Sequence, residues 1–403
     1  MQVNRPSLRI LHVITSLDPA AGGPPNVLLR LAAAQAALGH SVATLSYGGA
    51  GIADRVAKDL ANVPQSSRVE NIYLERVGFI ERRFSLAARA KCDELVARFD
   101  IVHLHGVWDS VLRYAATAAS KHRVPYMIAP HGMLDPWSLS QKKLKKRIAL
   151  VLMYRRMLNR AAALHLLNAD EESLLAPLRL TARKVILPNG IYLDEINPLP
   201  EPGSFRKAHP ALGDRPYVLF LGRLHFKKGL DYLAAAFAEL AGKMLEIDLV
   251  VAGPDDGEGT NFQRAIAEAG LGARVHLVGP LYGRRKIEAF ADAAVFCLPS
   301  RQEGFSVAIV EAMACGVPVV ISRACHFPEV QGAGAGIITE LRPLEIAGAL
   351  GRVLSDQATR DAMGVAGRSL VSGKYTWASI AAKSIEIYYD LRGDVACGAR
   401  REM

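Results

Sequence analysis

Two glutamates eight positions apart, Glu303 and Glu311, lie on either side of a helix start in the stretch Ser300-Arg301-Gln302-Glu303-Gly304-Phe305-Ser306-Val307. Before it, Ala294-Val295-Phe296-Cys297-Leu298-Pro299 reads as a buried strand closed by proline, and Gly304 and Ser306 then supply a tight turn and an N-cap. Val307 to Ala314 reads as a helix stopped by Gly316 and Pro318. The unpaired N–H groups of its first turn, aided by the helix dipole, suit a diphosphate. At roughly 1.5 Å per residue, Glu311 lies about 7–8 Å along the axis from Ser306, a span from a phosphate to a ribose. Glu303, in the loop, can accept hydrogen bonds from sugar hydroxyls. The segment therefore describes a socket for a sugar nucleotide. A surface loop acid followed by an ordinary helix acid is the alternative that the two glutamates alone allow.

A second constellation supplies cations. In Gly222-Arg223-Leu224-His225-Phe226-Lys227-Lys228-Gly229, a glycine at a strand end permits close approach, and Arg223 and Lys228 can both reach a diphosphate. Arg223 can bind two oxygens at once, whereas Lys228 acts as a point charge. Together they would stabilise the charge that grows on a departing phosphate. Strand-end cations are common, so this pattern gains weight only beside the helix socket.

Two cycles of strand and helix must position these groups. Short apolar strands are expected at Leu8–Ile14, Ser41–Leu45, Ile101–His105, Pro125–Ala129, Ala163–Leu167 and Lys184–Leu187, and again at Tyr217–Leu221, Ile247–Ala252, Arg274–Val278, Ala294–Leu298 and Val317–Ile321. Such strands alternating with helical stretches indicate parallel sheets covered on both faces. The proline-rich segment from Asn197 to Pro216 reads as a linker. The domains expected are 1–196 and 197–377, and the apolar spacing of the final segment reads as a helix. Ligands of doubly wound domains lie in a cleft at the carboxyl ends of the strands.

At 403 residues and half hydrophobic, the chain is expected to fold as two domains. Its apolar runs are too short to span a membrane, and the start lacks the long apolar segment of a signal peptide. Five scattered cysteines lack metal-ligand spacing, which argues for a reduced, cytoplasmic setting without a zinc site. The net charge of +10 is uneven: 26 Lys and Arg face 16 Asp and Glu through Pro198, against 23 and 23 beyond. Its densest part, residues 142–160, carries Lys142, Lys143, Lys145, Lys146, Arg147, Arg155, Arg156 and Arg160 among Leu144, Ile148, Val151, Leu152 and Leu158. That pattern fits a basic amphipathic helix resting on an anionic membrane surface, or a solvated helix packed by its apolar side. No nucleic-acid motif or aromatic stacking platform accompanies the charge.

The Glu303-to-Glu311 motif, the Gly222-Arg223…Lys228-Gly229 loop, the Gly22-Gly23 loop and the Pro130-His131-Gly132 turn together resemble the family 4, group 1 retaining glycosyltransferases, over nearly the whole chain. The resemblance implies a GT-B fold, with two Rossmann-like domains facing across a cleft. It implies a C-terminal helix, 378–403, that crosses back onto the first domain, and a hexosyl transfer from a UDP- or GDP-sugar to a glycan or lipid-linked acceptor, in cell-surface polysaccharide or glycolipid synthesis; the basic segment 142–160 is what places the protein at the periphery of the inner face of a membrane. Residue by residue, it assigns Glu303 to donor-sugar hydroxyls with Gly304, Phe305, Ser306 and Val307 beside it, Glu311 to the ribose, and Arg223 and Lys228 to the diphosphate. Gly22 and Gly23 approach the donor phosphates, the backbone around Val278 meets the base, and His131 stands beside the donor sugar. No cofactor is implied and no metal, because the cations and helix start replace one.

His105 and Trp108, at the end of an expected strand, are candidates for the acceptor site; a satisfied core histidine is the alternative for His105. Asp255, Asp256 and Glu258 read as a solvated acidic loop. Two other functions stay open on the sequence: a sugar-nucleotide epimerase on the same fold, and a non-catalytic nucleotide-sugar-binding partner of another transferase. The first glycine-rich loop lacks the spacing of a dinucleotide fingerprint.

Overall fold

A computed structural model describes residues 5–61, 63–75, 86–141 and 143–399, with the side chains of Trp137 and 394–399 outside the description. The chain forms two compact units, one of residues 1–190 and 377–403, the other of residues 191–376. The second begins before the proline-rich linker. Ile191 is buried in its core and donates its N–H to Tyr375 O at 2.9 Å, which pins the two ends of the unit together. Trp377, expected at the end of the second domain, opens the returning helix of the first instead.

Unit 1 is built on a seven-stranded parallel sheet in the order β3-β2-β1-β4-β5-β6-β7. Its strands are β1 Arg9–Ser16, β2 Ser41–Tyr47, β3 Val69–Leu74, β4 Ile101–His105, β5 Tyr126–Ala129, β6 Ala163–Leu166 and β7 Lys184–Ile186. The central strands are buried along nearly their whole length, as a sheet covered on both faces requires. The helix Trp377–Ala399 packs against the helix Gly23–Ala37, with Tyr388 and Leu391 fully buried.

Unit 2 repeats the plan with six parallel strands in the order β10-β9-β8-β11-β12-β13. These are β8 Tyr217–Leu221, β9 Asp248–Ala252, β10 Val275–Gly279, β11 Val295–Leu298, β12 Val319–Ser322 and β13 Gly336–Thr339. In both sheets the strand order reverses once, between β1 and β4 and between β8 and β11. Loops leaving the carboxyl ends of strands at such a reversal diverge and leave a crevice between them. Gly22-Gly23 follows β1, Gly106 follows β4, Arg223 to Lys228 follow β8, and Glu303 follows β11. The sequence motifs therefore fall at the two positions where the topology opens a binding site.

The basic segment is helical from Lys143 to Arg160, with Lys142 outside the described residues, and a π-helical stretch at Leu150–Tyr154 shifts its phase. Leu150, Tyr154, Met157 and Leu158 are buried, whereas Leu144, Ile148, Val151 and Leu152 are exposed by 51–76%. Only part of the apolar pattern packs inward.

Candidate functional site

In unit 2 the loop after β8 is pressed against the end of β11. Gly229 closes the short turn Phe226–Lys228 at φ 68°, and a Cβ there would sit 2.0 Å from Pro299 O. That approach brings Lys228 Nζ to 2.6 Å from Glu303 Oε1, with the two side chains only 18% and 9% exposed. Ser300 Oγ donates to the same oxygen at 2.5 Å, and Ser300 O in turn accepts from Ser322 Oγ at 2.5 Å. One oxygen of Glu303 is thus held by a cation and a hydroxyl. The other, Oε2, has no hydrogen bond among the described residues and is available to a ligand hydroxyl.

The helix Val307–Ala314 follows directly. Ser306 occupies its N-cap position with extended backbone, yet its side chain makes no capping bond, in contrast to the sequence expectation. The first-turn N–H groups are therefore without a side-chain acceptor, and the positive end of the helix is available to an anion. Phe305 leads into this turn and packs in an aromatic trio with Phe327 and Tyr375, at centroid distances of 5.1–6.1 Å. Glu311, on the same helix, accepts from Lys286 Nζ at 2.6 Å. Lys286, on the helix Gly283–Ala291, was missed by the sequence reading; the run Gly283-Arg284-Arg285-Lys286 was the available signal.

Arg223 is not free either: its Nη1 donates to Asp256 Oδ2 at 2.5 Å, with side chains 62% and 42% exposed. An exposed pair of this kind is worth less than about 1 kcal/mol, so a diphosphate can displace the carboxylate cheaply. The acidic loop resolves accordingly. Asp256 pairs with Arg223, and Asp255 accepts from the N–H groups of Gly257 and Gly259 as a turn and helix cap. Val278 is half-buried near the end of β10, beside Gly279 at φ 73°.

Unit 1 presents three groups. Gly22 has φ 113° and ψ −153°, a region open essentially to glycine alone, and it leads into the helix Gly23–Ala37. Space around Gly22 and Gly23 is clear, but Pro24 and Pro25 lack N–H groups, so this helix start offers fewer donors than the one in unit 2. Trp108 is half-buried, edge-on to Tyr154 at 5.4 Å, with Lys146 Nζ 5.8 Å from its ring centre. Asp135 caps the short helix Pro136–Ser140, accepting from Ser138 N–H at 2.5 Å.

The third group is His131, held at φ 51° in the turn after β5. A left-handed conformation costs a residue with a Cβ about 1–2 kcal/mol, so the turn is fixed by its surroundings. Its Nε2 lies 3.0 Å from Nδ1 of His105, and His105 Nε2 lies 3.0 Å from Nδ1 of His12. His12 Nε2 reaches Gln35 Oε1 at 2.7 Å. The Gln35 amide donates to Ser384 Oγ at 2.8 Å and to Tyr388 Oη at 3.2 Å, and Tyr388 Oη is 2.8 Å from His103 Nδ1. From there His103 Nε2 meets His165 Nδ1 at 3.1 Å, and His165 Nε2 meets Leu187 O at 2.6 Å.

Burial holds all five rings neutral: it pushes the pKa of His12 and His165 down to about 4 and that of His131 to about 3, and those of His103 and His105 well below 6.5. His105, a candidate for the acceptor site, is thus 1% exposed and backs His131 from within the core. Nitrogens of His12, His103 and His105 lie close enough together for a metal ion, but all six are engaged in this chain of hydrogen bonds.

Two family models match the chain: one for glycosyl transferases group 1 over residues 203–370, and one for a glycosyl transferase 4-like domain over residues 22–190. The chain belongs to the group 1 glycosyltransferases. It is 31% identical over 210 residues to a GDP-mannose-dependent alpha-(1-6)-phosphatidylinositol monomannoside mannosyltransferase of Mycolicibacterium smegmatis, across 50% of this chain and 55% of that protein. The match thus spans about half the length of that relative. A GDP-mannose:cellobiosyl-diphosphopolyprenol alpha-mannosyltransferase of Xanthomonas oryzae matches at 24% identity over 96% of this chain and 98% of its own. Among solved structures, Anabaena Alr3699/HepE in complex with UDP superimposes with a TM-score of 0.75 at 19% identity, over 95% of this chain and 100% of that one. The fold is GT-B.

Proposed function

We propose that this group 1 glycosyltransferase moves a hexosyl group, with retention at the anomeric carbon, from a nucleoside-diphosphate sugar to a glycan or lipid-linked acceptor. The observation that carries this reading is the Lys228–Glu303–Ser300 cluster beside the uncapped start of the helix Val307–Ala314. Lys228, Arg223 and the first-turn N–H groups bind the diphosphate and stabilise the charge released to it, without a metal. Glu303 Oε2 accepts from the hexose hydroxyls, Glu311 holds the ribose, and backbone around Val278 meets the base. His131, in unit 1, contacts a substrate hydroxyl.

The mannosyltransferase relatives are named for GDP-mannose, which favours a GDP-linked donor, and UDP is bound in the HepE structure. Thermal unfolding in GDP-mannose, UDP-glucose and ADP-glucose tests this: a donor at 100 times its Kd adds about 2.7 kcal/mol of stability. Release of nucleoside diphosphate only when a lipid-linked acceptor is present would establish transfer. Stabilisation by none of the three, or release without acceptor, would overturn it.

The helical segment 143–160 gives the acceptor a surface to come from. Among the described residues no helix is long and apolar enough to cross a membrane. The exposed Leu144, Ile148, Val151 and Leu152 lie among Lys143, Lys145, Arg147 and Arg156, and the proposed occupant of this face is an anionic phospholipid surface.

A further inference from the structure

Five of the chain's 11 histidines form one continuous hydrogen-bonded file in unit 1, and the position of every proton in it follows from its fixed ends. Leu187 O can only accept, so His165 carries its proton on Nε2 and, being neutral, accepts at Nδ1. His103 must then donate from Nε2, which leaves its Nδ1 to accept the Tyr388 hydroxyl proton. Having donated there, Tyr388 Oη accepts from the Gln35 amide nitrogen. Ser384 Oγ, which donates to Ala381 O at 2.7 Å, accepts from that nitrogen as well. The Gln35 amide is thereby oriented, and its Oε1 demands the proton of His12 on Nε2. His12 Nδ1 accepts from His105 Nε2, and His105 Nδ1 accepts from His131 Nε2. The reversed amide would set two lone pairs against each other between Tyr388 and His103. Only one arrangement satisfies every partner.

We infer that this file is a tautomer lock: Gln35 is its positioning residue, and it holds His131 as the neutral Nε2–H imidazole with Nδ1 as a bare lone pair, so that His131 meets its substrate as an acceptor from a hydroxyl and not as a proton donor. His131 Nδ1 has no partner among the described residues, while its Nε2 is spent on His105. The substrate contact rests on the role proposed for His131; the lock itself does not.

Long-range proton–nitrogen NMR of the full chain, with 15N-labelled histidine, reads the tautomer directly. At pH 7.5, His131, His105, His12, His103 and His165 should all show an unprotonated Nδ1 and a protonated Nε2. A His131 with a proton on Nδ1, or a cationic ring, refutes the lock. Gln35→Leu removes the acceptor that fixes His12, which frees His12, His105 and His131 to flip together; a mixture of both tautomers should result, with kcat reduced at little change in donor KM. A folded Gln35→Leu protein whose His131 stays entirely in the Nε2–H form refutes the positioning role. Should that variant not fold, Tyr388→Phe, which removes the hydroxyl whose bond to His103 forbids the reversed amide, is read the same way. A locked His131 together with full activity of His131→Ala would refute the proposed substrate contact while leaving the lock standing.

Discussion

Neutral histidines sealed in a core make unit 1 sensitive to mild acid, over a pH window that separates them from the carboxylates. His12 and His165 are 0% and 2% exposed, and burial lowers each pKa from 6.5 to about 4. Below pH 6.5 the unfolded chain binds a proton at each ring that the folded chain does not take up until near pH 4. Stability is therefore complete above pH 6.5 and is lost as the pH falls from 6.5 to 4. A shift of this size costs about 2 kcal/mol per ring at pH 5. The two rings together lose about 4 kcal/mol, a large part of the roughly 5–15 kcal/mol that stabilises an ordinary domain.

Asp18 and Asp93 are held below 3.8 by hydrogen bonds from Arg55 and Lys121, so their loss begins only below this window. The chain's three tryptophans, Trp108, Trp137 and Trp377, all belong to unit 1, so tryptophan fluorescence reports on that unit alone. With a urea slope of about 2 kcal/mol per M, its midpoint should fall by roughly 2 M between pH 7.5 and pH 5.0. An unchanged midpoint would refute the reasoning, because rings free to protonate in the folded state would produce none of this loss.

Glu303→Gln keeps the volume but removes the charge facing Lys228, and kcat/KM for transfer should fall by about 100-fold or more, as expected when a group acting on the reacting sugar is lost; turnover near that of the parent would discard its assignment. Gly229→Ala places a Cβ 2.0 Å from Pro299 O at φ 68°, which should destabilise unit 2 by more than about 2 kcal/mol and detach Lys228 from Glu303; circular dichroism during thermal unfolding measures it, and a parent-like transition would contradict the close approach. Leu144→Glu with Leu152→Glu should reduce co-sedimentation with vesicles containing phosphatidylglycerol at least tenfold without changing the unfolding temperature. Equal sedimentation would remove the docking face.

Eleven of the thirteen strands were legible because they are short apolar runs punctuated by glycine and proline, whereas the edge strands β3, interrupted by Glu70 and Asn71, and β13, only four residues from Gly336, carry no such run and were missed. The loop and helix that carry Glu303, Ser306 and Glu311 were legible for the same reason, because local spacing alone ties the three together. What escaped was side-chain partnership across long separations. Lys228 and Glu303, 75 positions apart, were read as separate tools for phosphate and sugar, yet they form one ion pair. Ser306 was read as a capping side chain from its residue type, but residue type does not say where a hydroxyl points. The histidine file left a trace, since His12, His103, His105 and His165 each fall within or at the end of a buried apolar run of a strand, and His103 and His105, two apart, share a sheet face. Register supplies the rest: His12 pairs with His103 across β1 and β4, a fact no single strand contains.

Unit 1 is made of two separated lengths of chain, and the second supplies Ser384 and Tyr388 to Gln35. Unit 2 is contiguous and carries Lys228, Lys286, Glu303 and Glu311 on one length of chain. A chain broken off at Thr376 would therefore retain every group proposed to hold the donor while losing the partners that orient Gln35 and, through it, His131. On the roles proposed above, donor capture and a correctly protonated His131 would be acquired separately during synthesis. Such a fragment should sequester nucleotide sugar without turning it over, a dominant inhibitor made from the enzyme's own sequence.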